Sequence, residues 1–264
     1  MKLLVTGGRT GYLGRHVVAA GISTALGHEV VAVGSADADV RDRAAVDALL
    51  EGHRPDAVVH TAYVQSDRDV TATGAAHVAH AAVAHGARLV LVSSDVVFGG
   101  SGEPYDETAP TDPVSAYGEA KVAAEAAALA SGPDVVVART SLILGDGRSQ
   151  HERLVHAMAG GADGGLFEDE RRCPVHVGDL ARALVELAGN DVRGVLHVGG
   201  ADAMSRYELG RLIARRDGLD PDGLRPVSRV ALGIAGPVDV RLDSTLASRV
   251  LTTRLRGARE FLSR

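Results

Sequence analysis

Five short apolar runs punctuate the N-terminal half of the chain. They are "KLLVT" (Lys2–Thr6), "EVVAV" (Glu29–Val33), "AVVH" (Ala57–His60), "RLVLVS" (Arg88–Ser93) and "DVVVAR" (Asp134–Arg139). Within each run the apolar residues are consecutive rather than alternating, the pattern of strands covered on both faces. Between them, apolar spacing predicts helices over Gly11–Leu26, Asp42–His53, Val70–His85 and Val114–Ser131. Regular alternation of strand and helix implies βαβ units with right-handed crossovers. The expected fold is therefore α/β, a Rossmann-type doubly wound parallel sheet.

After Arg139 the texture changes. Gly and charged residues crowd "GDGRSQ", "GGADGG" and "EDERR", and helices follow at Asp179–Ala188 and Ser205–Arg216 with a strand in "GVLHVGG". The expected division is a dinucleotide-binding Rossmann domain over residues 1–145 and a smaller lobe over 146–264. That lobe is read as mainly substrate-binding, with segments returning to the sheet. No internal repeat or low-complexity tract is visible.

Composition narrows the function classes. The 264 residues are 45% hydrophobic and 23% charged, ordinary for a globular chain with a sizeable core. Trp is absent and there are three Phe and five Tyr, so few rings are left to stack on a base or sugar. A net charge of −6 favours neither nucleic acid nor an anionic membrane as partner. The single cysteine, Cys173, excludes an internal disulfide and is expected to be a buried thiol. "MKLLVTGG" is too short for a signal peptide and no apolar run reaches membrane-span length, so a cytoplasmic protein is expected.

"LLVTGGRTGYLGRHVV" places Gly8, Gly11 and Gly14 at G-x-x-G-x-x-G spacing directly after the first strand. Arg9, Thr10, Tyr12 and Leu13 fall in the same loop. Missing side chains there let a pyrophosphate approach the backbone at a helix N-terminus. An acid about twenty residues further on would take the ribose hydroxyls of NAD. Gly34 stands there instead, followed by Ser35 and Ala36, with Asp37 slightly late. Arg9 suits a 2′-phosphate, so NADP(H) is favoured and NAD(H) stays open. Asp39 and Val40 lie where an adenine edge would fall, and Asp42 reads as a helix cap.

"YGEAK" sets Tyr117 and Lys121 one helical turn apart on one face. Of the 28 basic residues only Lys2 and Lys121 are lysines. An ammonium beside a phenol, whose ordinary pKa is near ~10, favours the phenolate and makes Tyr117 a better proton donor to a carbonyl oxygen. Lysine, a compact charge with three donors, can also reach ribose hydroxyls where the broad fork of arginine would crowd. Ser93 and Ser94 end the fourth strand, at the carboxyl edge where ligands bind in such sheets.

These residues give the chain a family likeness. It resembles an extended short-chain dehydrogenase/reductase, and within that superfamily the dTDP-4-dehydrorhamnose reductase (sugar-nucleotide-binding) family. The stretches that carry the likeness are "TGGRTGYLG", "RPDAVVHTAY", "VSSDVVFGGSGEPYDETAPTDPVSAYGEAKVAAE", "ARTSLILG", "PVHVGDLARAL" and "GVLHVGG", with a weaker echo in "VRLDSTLA". The resemblance implies Ser94 as carbonyl-orienting hydroxyl, Tyr117 as acid and Lys121 on the nicotinamide ribose. It implies Thr61, Ala62, Tyr63 and Ser93 beside the cofactor, and the loop after Arg139 near the nicotinamide. Asp95, Val96 and Leu142 would line the sugar site, where the family usually carries an aromatic at the position of Val96 and Trp at that of Leu142. The implied activity is NADP(H)-dependent reduction of a 4-keto group on a nucleotide-linked deoxysugar, dTDP-linked in the family. The alternatives are an NAD-dependent sugar-nucleotide epimerase and a non-catalytic, cofactor-binding regulatory subunit. A homodimer is left open.

Other residues read more simply. The 11 histidines show no metal-ligand spacing, and no metal is expected. Arg171 or Arg172 could meet a substrate diphosphate, with Arg171 the candidate chosen. Arg139 is either an ion-pair partner or a substrate anchor, and Asp179 most simply caps a helix.

Overall fold

Six parallel strands form the central sheet: β1 (Lys2–Thr6), β2 (Glu29–Val33), β3 (Ala57–His60), β4 (Arg88–Ser94), β5 (Val135–Thr140) and β6 (Gly194–His197). Their spatial order is 2-1-3-4-5-6. β1 pairs with β2 on one side and β3 on the other, so the winding reverses between β1 and β3. That reversal opens a crevice beyond the carboxyl ends of the strands. The computed structural model describes residues 1–23 and 27–263.

Consecutive apolar residues in a strand point to opposite faces, and here both faces are covered. Leu3, Val5, Val59, Val90 and Val136 pack beneath α1 (Tyr12–Ile22) and α6 (Val177–Ala188). Leu4, Val58, Leu89, Leu91 and Val137 pack beneath α2 (Arg43–His53), α3 (Gly74–Ala84) and α4 (Ala116–Ser131). The first helix closes at Ile22, and its expected end at Leu26 lies outside the described residues. Asp42 caps α2 by accepting from the amides of Ala44 and Ala45. Residues 69–73 form one wide turn of π-helix that runs directly into α3.

The second half of the chain both returns to the sheet and leaves it. β6 adds to the edge of β5, and α6 packs against α1. The remainder builds a lobe around α5 (Gln150–Ala159) and α7 (Arg206–Asp217), with its own core of Leu144, Val155, Leu166, Met204, Leu209 and Ile213. Both helices begin with reciprocal capping boxes, Ser149 with Glu152 and Ser205 with Glu208. Two short helices, α8 (Thr245–Val250) and α9 (Ala258–Phe261), lie near the C-terminus.

Asp179 corrects its expected role. The side chain of His176, not Asp179, caps α6 at the amide of Gly178. Asp179 is fully buried and accepts from Arg256 Nε at 2.7 Å and Nη2 at 2.9 Å, with Arg182 as a further partner. It ties the C-terminal segment to α6. Cys173 is buried, and burial pushes its thiol up to about 12, out of reach as a nucleophile at neutral pH. Among the described residues no helix is long and apolar enough to cross a membrane.

Leu184 is fully buried where α6 meets the sheet and α1. Leu184→Ala is expected to lower unfolding free energy by about 3 kcal/mol, read from the urea midpoint at unchanged slope. Leu246→Ala, on the exposed side of α8, should stay within about 0.5 kcal/mol of wild type.

Candidate functional site

At the carboxyl ends of the strands lies one continuous cleft of about 1270 Å3. Its floor at one end is the turn after β1. Gly7 adopts φ +70°, and its carbonyl accepts from the amide of Gly11 at 3.0 Å. A Cβ on Gly14 would stand 2.3 Å from that same carbonyl, so the loop closes only if all three lack side chains. No side chain caps the first turn of α1, which leaves its amides aimed at the cleft. Gly7, Thr10, Gly11, Tyr12, Leu13 and Gly14 all line the cavity.

Of the loop's glycines, Gly7, Gly11 and Gly14 line the cleft, and Gly8 packs behind it. Its amide bonds the carbonyls of Val5 and Val33, and a Cβ there would meet Val5 O, Val18 and Ala32. Arg9 is not among the lining residues either. Its side chain pairs with Asp37 at 2.7 Å and lies against Gly34. Ser35, Asp39 and Val40 do line the cleft, but Asp39 is clasped by Arg41 through contacts of 2.7–3.1 Å. Those hydrogen bonds hold its carboxyl down to about 2. Arg41, which the sequence reading passed over, itself lines the cleft.

Beneath this loop, Thr6 Oγ1 and His60 Nδ1 are 2.7 Å apart, and Thr61 Oγ1 donates to Thr6 O at 2.6 Å. His60 is buried beside Lys121, and both effects hold it down to about 3, so it is neutral at pH 7. Thr61, Ala62 and Tyr63 follow it along the cavity wall.

Ser94, Tyr117 and Lys121 meet in the middle of the cleft. Ser115 caps α4 by accepting from the amide of Gly118 at 3.1 Å. A Cβ on Gly118 would lie 2.3 Å from Val96 O, so the start of α4 is pressed onto the turn that follows β4. Ser94 Oγ makes only long bonds, 3.3 Å to Asp95 and 3.4 Å from the amide of Val96.

Lys121 is placed differently from expectation. Its Nζ donates to Val92 O at 3.0 Å and lies 5.3 Å from the centroid of the Tyr63 ring and 5.9 Å from that of Tyr117. Tyr117 is not driven towards phenolate. Burial raises its pKa, and Tyr63 and Asp95 add to the rise. Burial pulls Lys121 down to about 8, opposed by Glu125. Ser93, expected at the cofactor, reaches the cavity wall but spends its hydroxyl on Glu125. Arg139 resolves to an ion-pair partner, with Nη2 2.7 Å from Glu125.

Val96, Leu142 and Ile143 form the apolar wall beyond Tyr117. Asp95 lines the same region but is buried and engaged by Ser141 at 2.6 Å and Arg172 at 3.6 Å. Burial raises its pKa, against the opposing pull of Arg172 and Ser141.

The far end of the cleft is cationic. Glu170 is buried and binds Arg206 Nε at 2.8 Å, Arg229 Nη2 at 2.6 Å and Arg172 Nη2 at 3.5 Å. All three guanidinium groups line the cavity. Arg206 also reaches His151 Nδ1 at 2.9 Å. Guanidinium only donates, so His151 Nδ1 carries no proton and Nε2–H is left as a donor. Burial and Arg206 hold His151 down to about 3. Arg171, the residue chosen from sequence, turns outward to Glu208 and Ala203 O. Neighbours on a strand face opposite ways, so only one of the "RR" pair enters the cleft.

A clasp joins α1 to the turn at Asp146. Tyr12 donates to Asp146 at 2.7 Å and His16 meets the same carboxylate at 3.1 Å, tying the glycine loop to the turn that follows Leu144. Burial and the hydrogen bond to Asp146 raise the pKa of Tyr12.

Comparison with known proteins identifies the family. The RmlD substrate binding domain profile matches residues 1–264. A dTDP-4-dehydrorhamnose reductase of Mycobacterium tuberculosis is 34% identical over 245 residues, spanning 86% of this chain and 79% of that one. A dTDP-4-keto-6-deoxy-D-glucose reductase of Streptomyces niveus is 34% identical over 251 residues, spanning 89% and 86%. The solved dTDP-4-dehydrorhamnose reductase of Bacillus anthracis, in complex with NADP, superposes with a TM-score of 0.89 over 99% of this chain and 96% of that one, and at 22% identity it shows the shared fold. The chain belongs to the RmlD substrate binding domain family, the dTDP-4-dehydrorhamnose reductase group of extended short-chain dehydrogenases/reductases.

Proposed function

We propose that this protein is an NADP(H)-dependent reductase of the 4-keto group of a dTDP-linked deoxysugar. One observation carries the reading. A glycine cradle, a tyrosine–lysine–serine centre and three arginines around the buried Glu170 line a single cleft. The cradle that a Cβ on Gly14 would fill fits a pyrophosphate, and the three arginines fit a second diphosphate at the other end. Arg41, held by Asp39 and Asp67, is a cation of the cleft wall suited to a 2′-phosphate.

The nicotinamide, when bound, supplies the hydride that the carbonyl carbon accepts. The protein's part is to place the ketone and deliver the proton. Ser94, loosely held by its neighbours, is free to turn its hydroxyl to the ketone oxygen. Tyr117 is kept protonated by burial and gives its proton to that oxygen as charge develops there. The tyrosinate that remains is stabilised by the Lys121 cation and is reprotonated from solvent. Arg172, Arg206 and Arg229 neutralise the diphosphate, and Val96 and Leu142 pack the sugar.

Tyr117→Phe is expected to reduce kcat/KM for a dTDP-4-keto-6-deoxysugar about a thousandfold while NADPH binding, read by fluorescence titration, is unchanged. Unchanged binding with unchanged turnover would remove Tyr117 from the proton step. Arg229→Ala should raise KM for the sugar nucleotide about tenfold or more and leave KM for NADPH alone, because Glu170 keeps Arg206 and Arg172. Arg41→Ala should raise KM for NADPH about tenfold and not that for NADH. An equal loss with both cofactors would place the 2′-phosphate elsewhere.

A further inference from the structure

Three charged side chains lie buried beneath the centre of the cleft: Lys121 at 5% exposure, Glu125 at 4% and Arg139 at 5%. Lys121 and Glu125 are one turn apart on the same face of α4, and Arg139 stands on β5 opposite Ser93 of β4. The carboxylate of Glu125 is gripped from two elements. Arg139 donates Nε at 3.0 Å to one oxygen and Nη2 at 2.7 Å to the other, and Ser93 Oγ donates at 2.5 Å. Arg139 is itself fixed, with its guanidinium 5.1 Å over the Phe98 ring and 3.5 Å from His197 Nε2.

A buried ion pair is poor value as a fastener, since apolar side chains of similar volume usually serve as well. This pair has a neighbour that apolar side chains could not serve. Asp95, in the turn after β4, acts on Tyr117, and the groups that act on the amine of Lys121 come from β3 and the turn after it, from β4 and from α4 itself. They are neutral His60 on β3, Tyr63 beyond it, the carbonyl of Val92 on β4, and Tyr117 and Glu125 on its own helix. Arg139 lies behind Glu125 and adds a second cation to the same interior. Among these groups Glu125 is the anion.

We propose that Glu125 is a positioning residue for Lys121: Arg139 and Ser93 lock its carboxylate one turn behind the amine, and that fixed anion keeps Lys121 charged in a buried place. The assignment rests on the reading of Lys121 as part of a reductase centre, but the charge on Lys121 can be read without turnover. Burial alone disfavours an ammonium, and Lys121 stands at about 8 with Glu125 opposing the fall. A lysine is charged below its pKa. Removing the anion therefore moves the loss of charge to lower pH, towards neutrality. Aspartate at 125 would keep the anion and shift its place by one methylene.

The chain's two lysines make the test direct. In protein carrying 13C-labelled lysine, with Lys2→Arg to leave one signal, the titration of the Lys121 ε-carbon gives its midpoint. Glu125→Gln is expected to lower that midpoint by about one unit or more, and Glu125→Asp to keep it near wild type. The alkaline fall of kcat/KM should move down with it. Glu125→Gln/Arg139→Met, which leaves no unpaired guanidinium, reads the same midpoint if the single variant does not fold. A folded Gln variant, single or double, with Lys121 titrating as in wild type overturns the proposal. A shifted midpoint in a protein that reduces no sugar nucleotide supports the proposal and overturns the reductase reading instead.

Discussion

Leu4, Val5, Val58, Val59, Val90 and Leu91 are sealed between helices on the two faces of one parallel sheet. A polar side chain emerging from the middle of such a strand would lose its hydration with nothing to replace it. Chemistry is therefore confined to the carboxyl ends, where β1 stops at Thr6, β3 at His60, β4 at Ser94 and β5 at Thr140. Each of these ends a buried run with a hydroxyl or an imidazole. The turns that follow, beginning at Gly7, Thr61, Asp95 and Ser141, are the walls of the cleft. Position in the site is thus a consequence of where burial runs out.

The cleft's electrostatics follow from the same confinement. Arg172, Arg206 and Arg229 share Glu170, with Asp95 beyond it, so the cations outnumber the carboxylates that hold them. The carboxylates fix the guanidinium groups in place, and the surplus charge favours an anionic occupant in a region of reduced water. At the centre the need is different. The head of Lys121 occupies a narrow space bounded by two tyrosine rings and the Val92 carbonyl. A compact ammonium fits there, and a planar five-donor fork would leave donors unsatisfied. That accounts for a lysine being kept in a chain otherwise built with arginine.

The sheet was legible because its strands are continuous apolar runs, a pattern that a doubly covered parallel strand produces and little else does. Tyr117 and Lys121 were legible because a four-residue interval on a helix fixes their common face. What sequence could not settle was phase and reach. In "TGGRTG" two adjacent glycines compete, and only the backbone turn decides that Gly7, at positive φ, lines the cleft while Gly8 faces α1. In "RR" the phase of a two-residue strand sends Arg172 inward and Arg171 out. Arg206 and Arg229 come from distant segments and meet Glu170 only through tertiary packing. The direction of the Lys121 side chain, towards Val92 rather than the phenol oxygen, depends on burial that spacing does not encode.

The cleft wall beyond Tyr117 is aliphatic. Val96, Leu142 and Ile143 offer branched aliphatic surface in place of aromatic planes. Two polar side chains beside them are already committed: Asp95 to Ser141 and Arg172, and Ser141 also to the amide of Cys173. Sugar hydroxyls directed at this wall would lose water without gaining partners, a penalty that grows with each hydroxyl. Deoxygenated or methylated carbons incur no such penalty and gain dispersion contacts. With a sugar diphosphate as substrate, affinity would reside in the diphosphate and the arginines, and discrimination in what the wall rejects. On the function proposed above, such a wall would select for sugars already stripped of hydroxyls on the face turned to Val96 and Leu142, by exclusion rather than by recognition.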